Sequence, residues 1–396
     1  MNVLVVNAGS SSLKLRLLDQ HDRVVDQLDV DDWDDATDTT ELRRFVATVG
    51  RVDAVGHRIV HGGTEFREAV VIDEGVRDRI AALTELAPLH QPRGVAGIDA
   101  LTDTLPDTPT VACFDTAFHT AMPAAAATYA LPHAWNERYR LRRYGFHGLS
   151  HAYIAERAAQ LVGRPVETLR TVSCHLGAGA SLAAIAGGRS VDTTMGFTPL
   201  AGLVMATRTG SIDPGLLLWL TRHTDHTPDQ LAHVLEHESG LAGLTGGTGD
   251  MRDIEHAADA GDPRAQLALA VYLHRLRREI AAMTAALGGL DVLAFTGGVG
   301  EHSALVRREA VTGLRYLGVA IDEDRNHDPH TDTDISAPDT AVRTLVVTAR
   351  EDLQIARQTR AALHRSSPGN TDERPPAAGP WTLSQGTAAR QHQPRR

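Results

Sequence analysis

The sequence predicts an α/β protein made of two copies of one unit facing each other across a cleft. Three observations carry this. Between positions 171 and 193, apolar runs alternate with glycine turns: Thr171-Val172-Ser173-Cys174, then Gly177 and Gly179, then 181–185, then Gly187-Gly188, then Ser190-Val191-Asp192-Thr193. Strand, turn, strand, turn, strand is a meander. The N-terminus repeats it: Val3-Leu4-Val5-Val6, the polar turn Asn7-Ala8-Gly9-Ser10-Ser11-Ser12, the alternating Leu13-Lys14-Leu15-Arg16-Leu17, and a third run from Arg23-Val24-Val25. Beyond each meander, strand-like runs are separated by helical spacings, the pattern of α/β proteins.

The elements follow in order. Positions 29–40 are acidic and poor in apolar residues, so a surface loop is expected. A strand at 54–59 ends in the basic, glycine-flanked tip His57-Arg58-Ile59-Val60-His61-Gly62-Gly63. Helical spacing covers 75–86 and 95–105, with Pro88-Leu89-His90-Gln91-Pro92 as a rigid turn between them. The strand Thr110-Val111-Ala112-Cys113-Phe114 delivers Asp115 at its carboxyl end, where ligands bind in such sheets. Arg142-Arg143-Tyr144-Gly145-Phe146-His147-Gly148 reads as a turn before a helix over 149–162.

His147 and His151 are four apart, but Gly148 stands where a zinc-protease helix has glutamate, so the pair reads as one anion-facing and one structural imidazole. Asp213-Pro214 before Leu216-Leu217-Leu218 predicts an N-cap with proline at the first helical position. Another helix is expected from Pro228 and a glycine-rich loop over 243–249, ending in Asp250-Met251-Arg252. One long helix spans 263–287, with Leu269, Leu273, Leu276, Ile280, Met283 and Leu287 as a narrow apolar seam for the sheet or a second subunit. A strand at 291–296 enters a loop, Gly297-Gly298-Val299-Gly300-Glu301-His302, with a helix expected from Ser303. The last strand is placed at 343–348 and the last helix from Arg350-Glu351-Asp352 to about Leu363. Positions 366–396 lack apolar spacing and read as a disordered tail.

Composition narrows the function. With 396 residues there is room for two domains of ordinary size. A net charge of −11 argues against non-specific binding to nucleic acid or to an anionic membrane. No apolar run reaches the roughly 18 residues that a membrane helix needs, and no signal peptide is visible. Cys113 and Cys174 lie in separate apolar runs, as buried thiols do in a reducing compartment, so a cytoplasmic location is expected. Lys14 is the only lysine. It does not follow a glycine loop in Gly-Lys-Ser/Thr order, which excludes a P-loop enzyme. Gly177 and Gly179 are followed by Leu182 where a dinucleotide fingerprint requires glycine. Glycine turns that bring backbone N–H groups close to an anion remain, with several arginines, and phosphate handling across the cleft is the reading.

Ten ordered motifs then resemble the acetate kinase family of the actin, hexokinase and Hsp70 superfamily: VLVVNAGSSSLKL, GHRIVHGG, APLHQP, CFDTAFH, RRYGFHGLSH, CHLGAGASL, DTTMGFTPLAGLVMATRTGSIDPG, GGTGDMRDI, FTGGVGEH and AREDLQIA. The resemblance implies duplicated RNase H-like, actin-like ATPase domains with a central cleft. Residues 1–119 plus 354–365 would form one domain and 120–353 the second, nucleotide-binding one. It implies a cytoplasmic homodimer that catalyses Mg²⁺-dependent (or Mn²⁺-dependent) in-line transfer between ATP and acetate, giving acetyl phosphate and ADP. Propionate or butyrate as acceptor, or a non-enzymatic nucleotide switch, are the alternatives.

The implied catalytic residues are Asp115, His147 and Arg208, with Arg58 and His90 binding the acyl substrate and Asn7 and Glu351 the metal. Lys14, His175, Leu176, Gly177, Ala178, Gly179, Asp250, Met251, Arg252, Gly298, Val299, Gly300, Glu301 and His302 would hold ATP. Val60, Leu89 and Pro199 would line a methyl pocket. The chain departs from the family pattern at Ala178, His302, Ala206 and Ala349-Arg350-Glu351-Asp352.

Overall fold

Each half of the chain opens with the meander expected from its sequence. The computed structural model describes residues 1–8, 12–31, 40–88, 90–329 and 332–366. In the first half β1 (Val3–Ala8), β2 (Ser12–Leu18) and β3 (Val24–Asp31) pair antiparallel. β4 (Ala54–Ile59) then lies parallel to β1, β5 (Val70–Val71) forms an edge, and β6 (Thr110–Phe114) lies parallel to β4. The order is β3-β2-β1-β4-β6-β5.

The second half repeats this with β7 (Arg170–Leu176), β8 (Ala180–Ala186), β9 (Arg189–Thr193), β10 (Val292–Thr296), β11 (Thr333–Asp334) and β12 (Arg343–Val346), in the order β11-β12-β10-β7-β8-β9. β7 matches β1, β10 matches β4 and β12 matches β6, down to a register irregularity between the second and third strands of both meanders. The central strands β1 and β10 are apolar and buried along nearly their whole length, because helices cover both faces. In β2, Leu13, Leu15 and Leu17 are buried and Lys14 between them is exposed, as a half-buried strand requires.

Helices start where their caps stand. Asp213, Thr227 and Asp262 each accept a backbone N–H and are each followed by proline, opening helices Pro214–His223, Pro228–His237 and Pro263–Leu287. The seam of the long helix packs inward: Leu273, Leu276, Ile280 and Met283 are buried with Val172, Leu182 and Ala184 of the second sheet. It is therefore filled within the chain by the second sheet, with Leu269 and Leu287 at its partly buried edge.

Helices Gly148–Val162 and Glu351–Ser366 are sandwiched between the two sheets. Leu149, Tyr153, Ile154, Leu353, Ile355 and Ala356 share one core with Val3, Val5 and Cys113 on one side and Val292, Ala294 and Leu345 on the other. The last helix lies against β1, β4 and β6. Both cysteines are free and buried.

Three expectations change. The run 297–302 is not a loop but helix Gly297–His302, starting directly from β10. Gly297 has φ +77, and a Cβ there would sit 2.8 Å from the Leu176 carbonyl oxygen, so only glycine makes this entry. The loop 243–249 is shorter than expected, because helix Gly240–Thr245 extends into it. Of the acidic loop, Asp29 and Val30 belong to β3 and Thr40 opens helix Thr40–Thr48; residues 32–39 lie outside the described residues. So do Gly9, Ser10, Ser11, Leu89 and the tail beyond Ser366. Among the described residues, no helix is long and apolar enough to cross a membrane.

Candidate active site

The carboxyl ends of β1, β4 and β6 are adjacent, and each carries one polar side chain: Asn7, Arg58 and, one residue past the strand, Asp115. Their parallel register brings them together. Arg58 donates from Nε to both Asp115 oxygens (3.2 and 3.1 Å) and from Nη2 to Oδ2 (2.7 Å). Its Nη1 donates to Asn7 Oδ1 at 3.0 Å, and Asn7 Nδ2 donates to Glu351 Oε2 at 3.3 Å.

Asp115 is only 1% exposed and Arg58 16%. Burial works against the charge on Arg58, but the Asp115 and Glu351 carboxylates outweigh it and hold the guanidinium protonated. Burial likewise raises the Asp115 carboxyl, and the Arg58 fork opposes that shift; the bidentate contact keeps the pair ionised. A guanidinium has five N–H donors. Three are used here, so two remain for a carboxylate or phosphoryl oxygen.

The second sheet contributes from the other side. His175 is the penultimate residue of β7, and His147 stands just before helix Gly148–Val162. Their rings stack at 4.3 Å, 27° apart. His147 has φ +55, a left-handed conformation that costs a non-glycine residue on the order of 1 kcal/mol. This bend turns its imidazole to the cleft. Burial, then the neighbouring His175 and Arg58, push the His147 pKa well below its ordinary value, so the ring is neutral.

Gly179 is the contact point. A Cβ there would lie 3.5 Å from His147 Nε2 and 3.6 Å from Arg208 Nη1. Arg208 makes no side-chain hydrogen bond or ion pair among the described residues, and burial lowers its pKa. It is a half-buried cation that the Glu236 carboxylate stabilises only through space. His90 stands before helix Gln91–Thr104, held neutral near pKa 4 by burial and by Arg58, Arg208 and Arg93.

Asn7, Lys14, Arg58, His147, His175, Gly179, Glu301 and Glu351 line one cleft of about 680 Å³. A second cavity of about 650 Å³ is lined by Gly177, Ala178, Asp250, Met251, Arg252, Gly298, Val299 and His302. Gly177, Ala178 and Gly298 belong to both, so the two spaces meet at the glycine turn. Asn7 and Glu351 offer hard oxygen donors side by side at the cleft wall. A divalent ion that completes its shell with phosphate oxygens and water suits such a partial donor set.

Some expected residues stand elsewhere. Leu176 is core, and Gly300 is buried beneath the cavity with Cys174 and Phe295. Glu301 accepts from the Gly297 and Ala349 backbone N–H groups (2.9 and 3.0 Å), tying β10 to the start of the last helix.

Sequence reasoning missed others. Ala206, Thr207, Leu241, Glu255, Tyr272 and Ser303 also line the second cavity. The Tyr272 hydroxyl is buried there without a partner among the described residues. Its position on the apolar seam helix hid it. Arg307, fully buried, donates to the Gly300 and Glu301 carbonyls and to both oxygens of Asn326, closing the C-terminal end of helix Gly297–His302. Arginine inside an apolar helix pattern was the available signal.

The sequence model of the acetokinase family matches residues 34–357. The chain belongs to the acetokinase family. An acetate kinase of Acetivibrio thermocellus is 43% identical over 392 residues, covering 91% of this chain and 98% of the relative. The crystal structure of Porphyromonas gingivalis acetate kinase superposes with a TM-score of 0.85 at 34% identity, covering 91% of this chain and 99% of that one. That of a propionate kinase from Francisella tularensis gives 0.84 at 33% identity, with the same coverage. As an acetokinase family member the chain is a phosphotransferase with a carboxyl group as acceptor, which sets aside a non-enzymatic switch.

Proposed function

We propose that the chain transfers the γ-phosphoryl group of ATP to acetate, reversibly and in one in-line step. A carboxylate oxygen of acetate bonds to the γ-phosphorus as the bond to the β,γ-bridging oxygen breaks, giving acetyl phosphate and ADP. The observation that carries this is the shared cleft. It brings Arg58 and His147 together beside Arg208, and it joins a nucleotide-sized cavity at Gly177, Ala178 and Gly298.

In this reading the two free donors of Arg58 bind the acyl carboxylate, with Asp115 holding the guanidinium in place. The transition state is loose, and its charge spreads over three equatorial oxygens. Arg208 and the His147 N–H donate to those oxygens where charge grows, and preorganised donors in a dry site supply most of such catalysis. His90 and His175 stand as neutral donors toward the phosphates. Asn7 and Glu351 would hold Mg²⁺ (or Mn²⁺), which supplies charge neutralisation of the phosphates when bound.

ATP would occupy the second cavity, with Asp250 to Arg252 toward the ribose. Lys14 would reach the phosphates from the opposite wall. Residues 1–119 with 354–365 would close as one body on 120–353, excluding water. Val60 and Pro199 are proposed for the methyl pocket. We also propose a cytoplasmic homodimer. Leu216, Leu218 and Trp219, all exposed on helix Pro214–His223, offer it an apolar surface.

The likeness to a propionate kinase keeps the longer acid as a second reading, since one methylene discriminates by only about 1–3 kcal/mol in an apolar pocket. A hydroxamate assay with acetate, propionate and butyrate, run with ATP and GTP, tests both. Fastest turnover with acetate and ATP is expected. Turnover no higher than that of an Arg208→Ala variant rejects the proposal.

A further inference from the structure

Behind the two cleft imidazoles lies an ordered set of buried serine and histidine side chains. His147 Nδ1 is 2.9 Å from Ser181 Oγ. Ser181 Oγ is 2.8 Å from His151 Nε2, and His151 Nδ1 is 2.9 Å from Ser173 Oγ. Ser173 and Ser181 come from the antiparallel neighbours β7 and β8, and His151 from the first turn of helix Gly148–Val162. Ser173, Ser181 and His151 have no exposed surface.

We propose that Ser173, His151 and Ser181 form a hydrogen-bond chain that fixes His147 in one neutral tautomer, with its proton on Nε2 toward the transferring phosphoryl group. The inference rests on the reading above that His147 faces that group.

Each link has one proton to give. A neutral imidazole carries one N–H and a hydroxyl one O–H, so the chain runs in one of two directions. The inner end decides. Ser173 Oγ has His151 Nδ1 as its only hydrogen-bond partner among the described residues. If His151 donated to Ser173, the serine proton would be buried without an acceptor, which costs the full desolvation of a donor. If Ser173 donates, only acceptor capacity is left unused. Ser173 O–H therefore donates to His151 Nδ1, His151 Nε2–H to Ser181 Oγ, and Ser181 O–H to His147 Nδ1. The His147 proton is left on Nε2, 3.5 Å from where a Cβ on Gly179 would stand, with Arg208 Nη1 3.6 Å from the same point.

A charged His147 does not fit this chain. It would donate from both nitrogens, so either Ser181 faces two donors with its own proton stranded, or the chain reverses and the Ser173 proton is the one left without an acceptor. Burial favours the same neutral state in His147 and His151. His175 repeats the arrangement: its Nδ1 is 2.8 Å from Ser150 Oγ, next to His151 on the same helix. Ser150 has no other hydrogen-bond partner among the described residues, so it too donates, and His175 Nε2–H faces the Gly177 turn. Two stacked rings thus present N–H donors to the glycine turn. Ser173, His151 and Ser181 are positioning residues, acting on the reaction only through His147.

The test is ¹⁵N-histidine NMR of the full chain, with the His147 signals assigned by their loss in His147→Gln. The wild type is expected to show a protonated Nε2 and an unprotonated Nδ1. In Ser181→Ala the two His147 nitrogens should become a tautomer mixture. kcat should fall about tenfold or more, while KM for ATP and for acetate stays within about twofold. Ser181→Thr keeps the hydroxyl and should restore both. A wild-type His147 protonated at Nδ1 overturns the chain, even if Ser181→Ala does not fold. So does a Ser181→Ala variant with unchanged tautomer and kcat. If His147→Gln is inactive in either case, the site reading survives and only the chain fails. A His147→Gln variant with wild-type kcat overturns the placement of His147, and the inference with it.

Discussion

Gly148→Ala isolates the link between backbone fit and chemistry. Gly148 N–H donates to the Asp115 carbonyl at 2.9 Å, pinning the start of helix Gly148–Val162 to the end of β6. A Cβ at 148 would sit 2.1 Å from that carbonyl oxygen and 2.9 Å from Phe118 Cβ, whereas real contacts begin near 3.0–3.4 Å. The nearest obstacle is backbone, so no side-chain rotation relieves it. The helix start must move by about 1 Å, and His147 is its N-cap. Displacement on that scale costs about a hundredfold in rate, and overpacking of this kind costs about 1–3 kcal/mol of stability.

The assay is kcat by hydroxamate formation together with urea unfolding at the same pH. Gly97→Ala serves as control, because the nearest atoms to its new Cβ are 3.8 Å away and it lies within helix Gln91–Thr104. A Gly148→Ala enzyme with kcat within threefold of wild type would falsify the claim that this contact sets the position of His147.

Three further outcomes are expected. Gly298→Ala adds a methyl group into open space where the two cavities meet, so KM for ATP should rise severalfold with unchanged unfolding; an unchanged KM counts against nucleotide there. Arg307→Met strands three backbone carbonyls and the Asn326 side-chain amide oxygen and should cost about 3 kcal/mol or more in urea unfolding while weakening ATP binding; a loss under about 1 kcal/mol refutes its role as the clamp of helix Gly297–His302. Burial lowers the pKa of His57, His61 and His119 to about 3, 4 and 4. The unfolded chain binds a proton at each as pH falls through about 6.5 and the folded chain does not, so their effect is absent above that pH and destabilises progressively below it. The three together should cost on the order of 4 kcal/mol by pH 5.5, and unfolding free energies that are flat between pH 7 and 5.5 would contradict this.

Local order made much of the fold legible. Alternating leucines in β2, continuous apolar runs in β1 and β10, and the Asp-Pro caps at 213 and 262 each decide their element within a few residues. Helix Gly297–His302 was misread because three glycines weaken helical propensity, and its closure comes from Arg307, outside the run. The seam of helix Pro263–Leu287 shows only that one face is apolar. Whether a sheet or another subunit covers it depends on where β8 lies, and β8 is eighty residues away in sequence, roughly.

By itself, then, the sequence determined that two meanders open two similar halves, which residues end the strands, and where glycine keeps the turn at 177–179 open. These follow from side-chain period and backbone freedom, which are properties of neighbours in the chain. Tertiary structure alone decided that Asn7, Arg58, Asp115 and Glu351 form one connected polar chain, that Arg208 stands beside His147 with no ion pair among the described residues, and that serines from two strands stand behind the cleft imidazoles. Charge balance and proton direction are set by distances of about 3 Å between residues remote in sequence, and only the packed sheets bring those atoms within reach.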